Sequence, residues 1–471
     1  MRPRVADLPG NGRPDDVALR AVLVSGLRAA DPARPAIVQG GEALSYGELL
    51  ARSEEFAGNL AGGSGPVLIR EPRGLASLTA MVGCVLADRP FFPLAPDSPV
   101  EATGIGDVPT GCGYLLTTSG TSGPPKLVLG SGRALGRYLS WQRDELALDV
   151  TDILSNTADP WFDFSFKETL GALVAGATIL VTPTAALSGG RPLLDWLAEH
   201  RPTTVCLLPT RLAGLVAAMD RAEPGSVRSA VARLRRLLVS GEPFPAHLLR
   251  RWRVHAPDPV VLNLYGPTEA TVIKLRHTLP AAAEVHTATV PVGTPIPGTT
   301  VEFVPVDGID DARELCLVTD DLALGYRTPA GGATRFEHDG SGRRRLRTGD
   351  LATLDPDGNI VLAGRLDNVV KRRGVKVSLP AIEAAALGVR LVDTAAAVAT
   401  PDGRIILFCG SCAGPDRLPL RTIRLALLDK LGPDQLPDQV RVLGELPLDA
   451  RAKVDRAALR AGETFGERGR S

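Results

Sequence analysis

The sequence predicts an α/β protein with a smaller α+β unit toward its C-terminal end, and three observations carry that reading. Through about residue 360, short β-rich runs alternate with alanine- and leucine-rich helical patterns, the sign of helix and sheet layers packed on one another. Across residues 292–357 the pattern shifts to short strands separated by Gly, Pro and Asp, as in a small barrel or a meander. After Gly364 it shifts once more, to a basic turn, a helical pattern and a strand-like run followed by a further helix.

Each element has a local reason. The run at residues 177–183 (ATILVTP) follows the helical stretch 168–175, a β-rich segment joined to a helix. Residues 235–240 (RRLLVS) and 260–265 (VVLNLY) are short apolar runs that enter Gly-containing turns, as buried parallel strands do. Function is expected at those turns, because ligands of open α/β sheets sit beyond the carboxyl ends of the strands. In the last part, residues 379–387 read as a helix, 404–409 as a strand and 420–431 as a helix, while the residues after Gly462 read as a frayed end. A chain of 471 residues exceeds what one core can hold. The expected division is a domain over 1–363, a link at 364–367 and a second domain over 368–471.

Bulk composition narrows the function classes. Basic and acidic residues balance at 53 each, so nothing favours a polyanion such as nucleic acid. No window approaches the roughly eighteen apolar residues of a membrane span, and the start, MRPRVADLPGNGRPDD, lacks the apolar stretch of a signal peptide. A cytoplasmic enzyme is expected. The cysteines, at 84, 112, 206, 316, 409 and 412, give one CxxC pair, and a zinc site would need two further ligands that no neighbouring His or Cys pair supplies.

Residues 117–126 (TTSGTSGPPK) follow a strand-like run at 113–116. Thr118, Ser119, Gly120, Thr121, Ser122 and Gly123 concentrate hydroxyls and backbone N–H groups in one turn, and Lys126 adds a cation at its end, a composition suited to wrapping phosphates. Taken alone such a stretch also reads as a flexible loop, and it is not the GxxxxGK[ST] loop of P-loop enzymes.

The loop does not stand alone. With residues 44–49 (LSYGEL), 91–99 (FFPLAPDSP), 162–168 (FDFSFKE), 263–271 (NLYGPTEAT), 347–351 (RTGDL), 364–374 (GRLDNVVKRRG) and 447–456 (PLDARAKVDR), it resembles, in order, the motifs of the adenylate-forming superfamily. That superfamily includes acyl-CoA synthetases, luciferases and the adenylation domains of nonribosomal peptide synthetases. The resemblance implies a large N-terminal domain of two helix-flanked β-sheets plus a small β-barrel, followed by a small mobile α+β C-terminal domain. It implies ATP and Mg2+ as cofactors.

The resemblance also assigns roles. Tyr265, with Gly266, would pack beside the adenine, Thr268 would touch the phosphates, and Glu269 would coordinate magnesium, a hard cation suited to carboxylate oxygen. Asp350 would hold the ribose hydroxyls, since a carboxylate accepts both O–H groups, and Arg365 would support the same nucleotide. Lys453 would join Lys126 and Thr268 as a catalytic residue, its charge lying between substrate carboxylate and α-phosphate. The usual glycine before it is Ala452 here. Asp367 matches the position about which the C-terminal domain turns, and Gly374 would then border the thiol's path.

For the substrate, Asp163 is the telling residue. In peptide-synthetase adenylation domains the matching aspartate accepts from the substrate's amino group, and a buried carboxylate calls for a cation, so the resemblance implies an amino acid. The other local reading is a helix-capping Asp. The matching side-chain pocket comprises Phe164, Lys167, Thr210, Leu237, Val239, Leu264, Val272 and Ile273. Lys167 would either neutralise an acidic substrate side chain, or lay its stem along apolar surface with its ammonium in water.

One departure stands out: Pro99 and Tyr114 are fifteen positions apart where the family has several dozen residues. With no carrier domain attached, the resemblance implies loading of the phosphopantetheine thiol of a separate carrier protein. An acyl-CoA or amide ligase is the alternative within enzymes. A catalytically silent nucleotide-binding scaffold is the alternative outside them, and Lys126, Glu269, Asp350, Arg365 and Lys453 speak against it, since scaffolding needs none of these charges.

Overall fold

A nine-stranded sheet organises the larger part of the chain, in the order Thr294–Pro295, Leu275–Leu279, Val260–Tyr265, Arg236–Ser240, Thr204–Leu207, Ile153–Asn156, Thr178–Val181, Pro35–Gln39 and Glu42–Ser45. The computed structural model describes residues 18–100, 105, 107–118, 126–281, 283–307, 309–327, 335–372, 375–389, 392–400, 402–411, 420–448 and 454–461. From Val260–Tyr265 across to Pro35–Gln39 the strands pair in parallel. Such strands are apolar on both sides because helices cover both faces. On one face Cys206, Leu238 and Leu262 pack with Phe166, Leu170 and Leu139. On the other, Val205, Leu237, Val239 and Val261 pack with Leu194, Leu212 and Leu248 from the helices Gly190–His200, Pro209–Met219 and Ala246–His255.

A second sheet, of five strands, runs Gly325–Arg327, Lys126–Ser131, Cys112–Thr118, Phe91–Pro93 and Val67–Ile69. The helix Tyr46–Asn59 beside it starts at a capping box, in which Ser45 and Glu48 satisfy each other's backbone N–H groups. Phe91 pairs with Tyr114 in parallel register, so the short connection after Pro99 leaves the sheet continuous. The Gly-, Pro- and Asp-rich stretch forms antiparallel strands, Thr299–Val306, Ile309–Thr319, Arg344–Leu354 and Phe336–His338, with Ile360–Arg365 paired to Arg344–Leu354.

Beyond these lie the hairpin Val369–Arg372 and Val375–Ser378, the helix Leu379–Leu387, and a three-stranded sheet of Thr394–Ala399, Ile405–Gly410 and Gln439–Leu443. Ile382, Val392, Leu407 and Ile423 belong to a separate core there. Among the described residues this part touches the larger one at Gly364 and on the helix Ala246–His255. At Gly364, with φ +127°, an added Cβ would fall 2.0 Å from Pro380 Cβ, so only glycine fits. On the helix Ala246–His255, Arg251 donates to Asp393 at 2.6 Å, and His247 Nδ1 lies 3.1 Å from the Leu387 carbonyl. Among the described residues no helix is long and apolar enough to cross a membrane.

Candidate active site

The strand Val260–Tyr265 delivers Tyr265 to its carboxyl end, and the chain turns there through Gly266. A Cβ on Gly266 would lie 2.2 Å from the Val272 carbonyl oxygen, so this position too admits only glycine. The return passes through Thr271 and Val272, both left-handed at φ 61° and 64°. β-branched residues adopt that conformation only when the surroundings impose it. The turn is thereby a rigid platform for Thr268 and Glu269, which occupy the short helix Thr268–Ala270.

Asp350 meets Tyr265 from the antiparallel sheet. Register places Asp350 directly opposite Arg365, a cross-strand pair of opposite charges. Arg365 Nη1 donates to Asp350 Oδ1 at 2.8 Å, the Tyr265 hydroxyl donates to Oδ2, and the Asp350 N–H is held by Thr348 Oγ1 at 3.0 Å. Burial pushes the Asp350 carboxyl up, and Arg365 and the Tyr265 hydrogen bond oppose that shift. Each oxygen of an ionised carboxylate accepts more than one hydrogen bond, so Asp350 retains capacity for two further hydroxyls. Arg365 and Arg335 both reach Asp367, at 3.3 and 3.2 Å, which ties the expected turning position to this cluster.

Lys126 and Glu269 approach from the other side. The strands Cys112–Thr118 and Lys126–Ser131 pair with Thr118 opposite Lys126. Lys126 Nζ stands 5.1 Å from the centroid of Tyr326, whose hydroxyl donates to Glu269 Oε1 at 2.7 Å. Sequence reasoning missed Tyr326, which reaches Lys126 only because Gly325–Arg327 pairs with Lys126–Ser131. Among the described residues no group of three or more His, Cys, Asp or Glu could hold a metal. A single carboxylate is nevertheless what magnesium uses when substrate phosphates supply the other oxygens, so Glu269 fits that donor set. Ser119, Gly120, Thr121, Ser122, Gly123, Gly374 and Lys453 lie outside the described residues.

Asp163 precedes the short helix Phe164–Glu168 and makes no side-chain capping bond to it, against the capping reading. Lys167, one turn on, corrects one of its two expected dispositions. Its side chain is 1% exposed, so its ammonium does not reach water. Instead it donates to Ser240 Oγ at 2.9 Å and rests over the Phe164 ring. Burial draws its pKa from the ordinary 10.5 down to about 8, against the raising influence of Cys206, Glu168 and Asp163. Glu168 is buried too, and its carboxylate is engaged by Asn156, by the Thr157 N–H and hydroxyl, and by the Ala158 N–H.

The remaining pocket candidates divide. Leu264, Val272 and Ile273 share a core with Phe164 on one face of the central sheet. Leu237 and Val239 pack into the helices on the opposite face, away from Lys167. Thr210 belongs to that layer as well, its hydroxyl donating to Glu242 at 2.6 Å.

The titration of Lys167 has a measurable consequence. Between pH 8 and 10.5 the unfolded chain holds a proton on Lys167 that the folded chain does not, so stability rises with pH in that window. The wild-type protein is expected to gain about 1.4 kcal/mol per pH unit relative to Lys167→Met there, and urea unfolding at pH 7, 8, 9 and 10 checks it. Parallel curves for the two proteins would contradict it.

Three comparisons bear on this arrangement. The profile of a family described as AMP-binding enzyme matches residues 108–326. Phosphinothricin tripeptide synthetase PhsC of Streptomyces viridochromogenes is 32% identical over 96% of this chain and 40% of its own length. The L-proline--[L-prolyl-carrier protein] ligase of Streptomyces coelicolor is 34% identical over 72% of this chain and 64% of its own. The chain thus spans less than two thirds of either relative. The crystal structure of IdnL7 superposes with a TM-score of 0.79 over 95% of this chain and 99% of that one, at 24% identity, a likeness of fold.

Proposed function

The chain belongs to the superfamily of adenylate-forming, AMP-binding enzymes, and on that premise we propose that it activates an amino acid with ATP, forming an aminoacyl-adenylate and pyrophosphate. The observation that carries this reading is the convergence of Tyr265, Asp350 and Arg365 with Glu269, Tyr326 and Lys126. Asp350 accepts the ribose hydroxyls, and Tyr265 lies along the adenine. Glu269 would hold magnesium, which would supply positive charge against the phosphates.

In the first step a carboxylate oxygen of the amino acid bonds to the α-phosphorus, the bond to the β-phosphate's bridging oxygen breaks, and pyrophosphate leaves with the electron pair. Lys126, Thr268 and Lys453 oppose the negative charge that builds on the phosphoryl oxygens. Asp163 holds the substrate ammonium and so orients its carboxylate.

In the second step the phosphopantetheine thiol of a carrier protein bonds through sulfur to the acyl carbon. The acyl–phosphate bond breaks, AMP departs, and the thiol proton passes to solvent. For this step the part after residue 367 turns about Asp367 and brings Gly374 to the nucleotide. The separate core around Ile382 and Leu407 supports its moving as a unit. The similarity to a prolyl-carrier protein ligase supports a carrier as acceptor. The test is exchange of labelled pyrophosphate into ATP that depends on an added amino acid, followed by loading of that amino acid onto a phosphopantetheinylated carrier.

A further inference from the structure

Lys126, Glu269 and Tyr326 each share a chain segment with a charged residue that the proposed chemistry does not use. Arg137 lies on the helix Gly132–Glu145, which continues directly from the strand Lys126–Ser131. Lys274 follows the turn of Glu269, its N–H bonded to the Tyr265 carbonyl at 2.8 Å. Asp321 precedes the strand Gly325–Arg327 that carries Tyr326. The three charges meet. Arg137 Nη1 donates to Asp321 Oδ1 at 2.8 Å, and Lys274 and Asp321 are both buried. Burial draws the Lys274 ammonium down to about 8, while Asp321 pulls it up and Arg137 pushes it further down, as charges do across a poorly screened interior.

Strand pairing fixes Tyr326 against the strand of Lys126. The Glu269 turn is joined to that pair through the segment that Asp321 begins: the Ala323 N–H donates to the Glu269 carbonyl at 2.7 Å, and the Tyr326 hydroxyl to its carboxylate at 2.7 Å. Arg276 Nε stands 2.6 Å from Glu145 on the helix of Arg137, so that helix stays tied without Asp321, whereas the segment loses its tie to the helix. We propose that Asp321, gripped by Arg137 and facing Lys274, is a positioning residue: it holds the segment 321–326 so that Glu269 stays beside Tyr326 and Lys126 to receive magnesium-bound phosphate. The inference rests on the nucleotide site of the adenylation reading given above. The competing role is general support of the fold.

Equilibrium dialysis of ATP, in magnesium and in EDTA, separates the two. The proteins are the wild type, Asp321→Ala, Arg137→Ala, Arg137→Lys and, as a control, Asp152→Asn. Asp152 is a buried aspartate held by Thr203 and Arg236 at the opposite end of the parallel strands from Glu269. Substituting a group that supports a metal ligand costs about 10–100-fold in affinity. Asp321→Ala should therefore bind ATP about tenfold more weakly than the wild type in magnesium, and within about twofold of it in EDTA. Arg137→Ala should show the same split, and Arg137→Lys should regain most of the loss. Arg137→Ala carries the test if Asp321→Ala does not fold, since Glu145 and Arg276 still tie its helix. Asp152→Asn should melt lower and keep the magnesium preference. A folded Asp321→Ala or Arg137→Ala with the wild-type magnesium preference would overturn the proposal, as would an equal loss in Asp152→Asn. Wild-type binding that magnesium does not improve would overturn the role of Glu269 and this proposal with it. A wild type that binds magnesium-ATP but exchanges no pyrophosphate with any acid would overturn the adenylation reading and leave the positioning role of Asp321 standing.

Discussion

Replacing Asp350 with Ala is expected to raise the KM for ATP about a hundredfold and to leave the KM for the amino acid within a few-fold. The carboxylate is the point on which Tyr265 and Arg365 converge, and in the proposed complex it also accepts the ribose hydroxyls. Losing two hydrogen bonds to a charged group, at about 1.5–3 kcal/mol each, corresponds to at least two decades in affinity. Part of the effect falls on the fold, because Arg365 is left half-buried without this partner. Asp350→Asn, which keeps the shape, should lower thermal stability less than Asp350→Ala while still weakening ATP. Steady-state kinetics with each substrate varied, set beside melting curves, separates the two contributions. An unchanged KM for ATP in a folded variant would remove Asp350 from the nucleotide site.

Replacing Asp163 with Ala is expected to lower kcat/KM for the amino acid about a thousandfold and to leave ATP binding intact. Removing one partner of a buried charge pair costs about 3–5 kcal/mol, and in the proposed complex the stranded charge is the substrate's own ammonium. A matched des-amino acid has nothing to lose, so the ratio of amino acid to des-amino acid activity should collapse toward one. Kinetics with the matched pair of acids checks this. If both acids fall equally, Asp163 acts on the fold and not on the ammonium.

How much of this was legible in the sequence depends on whether the signal is local. The strand Val260–Tyr265 and the helix Leu379–Leu387 emerge at the residues expected, because an apolar run bounded by a Gly turn and a helical pattern are set by neighbours in the chain. Pairing between distant strands leaves no such trace. Tyr326 joins Lys126 and Glu269 only through the register of Gly325–Arg327 against Lys126–Ser131, and nothing in the residues around it marks it as a site residue. Asp350 and Arg365 were each legible, but their standing opposite one another was not.

Face is a further case. Alternation along Arg236–Ser240 puts Leu237 and Val239 on one side and Leu238 and Ser240 on the other. Which side looks toward Lys167 follows from the neighbouring strands and helices, and the structure gives that side to Ser240. For Lys167 the sequence left two dispositions open, and burial removes the one in water. The phosphate loop and Lys453 stand out in the sequence, and residues 119–125 of the loop and Lys453 lie outside the described residues.

The central claim is that this chain couples an amino acid to ATP, and the most direct test is exchange of labelled pyrophosphate into ATP by the purified protein with magnesium. The panel consists of the proteinogenic amino acids, a set of β- and non-proteinogenic ones, and the matched des-amino acids. The account predicts exchange that requires an amino acid, is strongest for one of them, and disappears with its des-amino partner. Exchange supported by simple acids while every amino acid stays silent would contradict it.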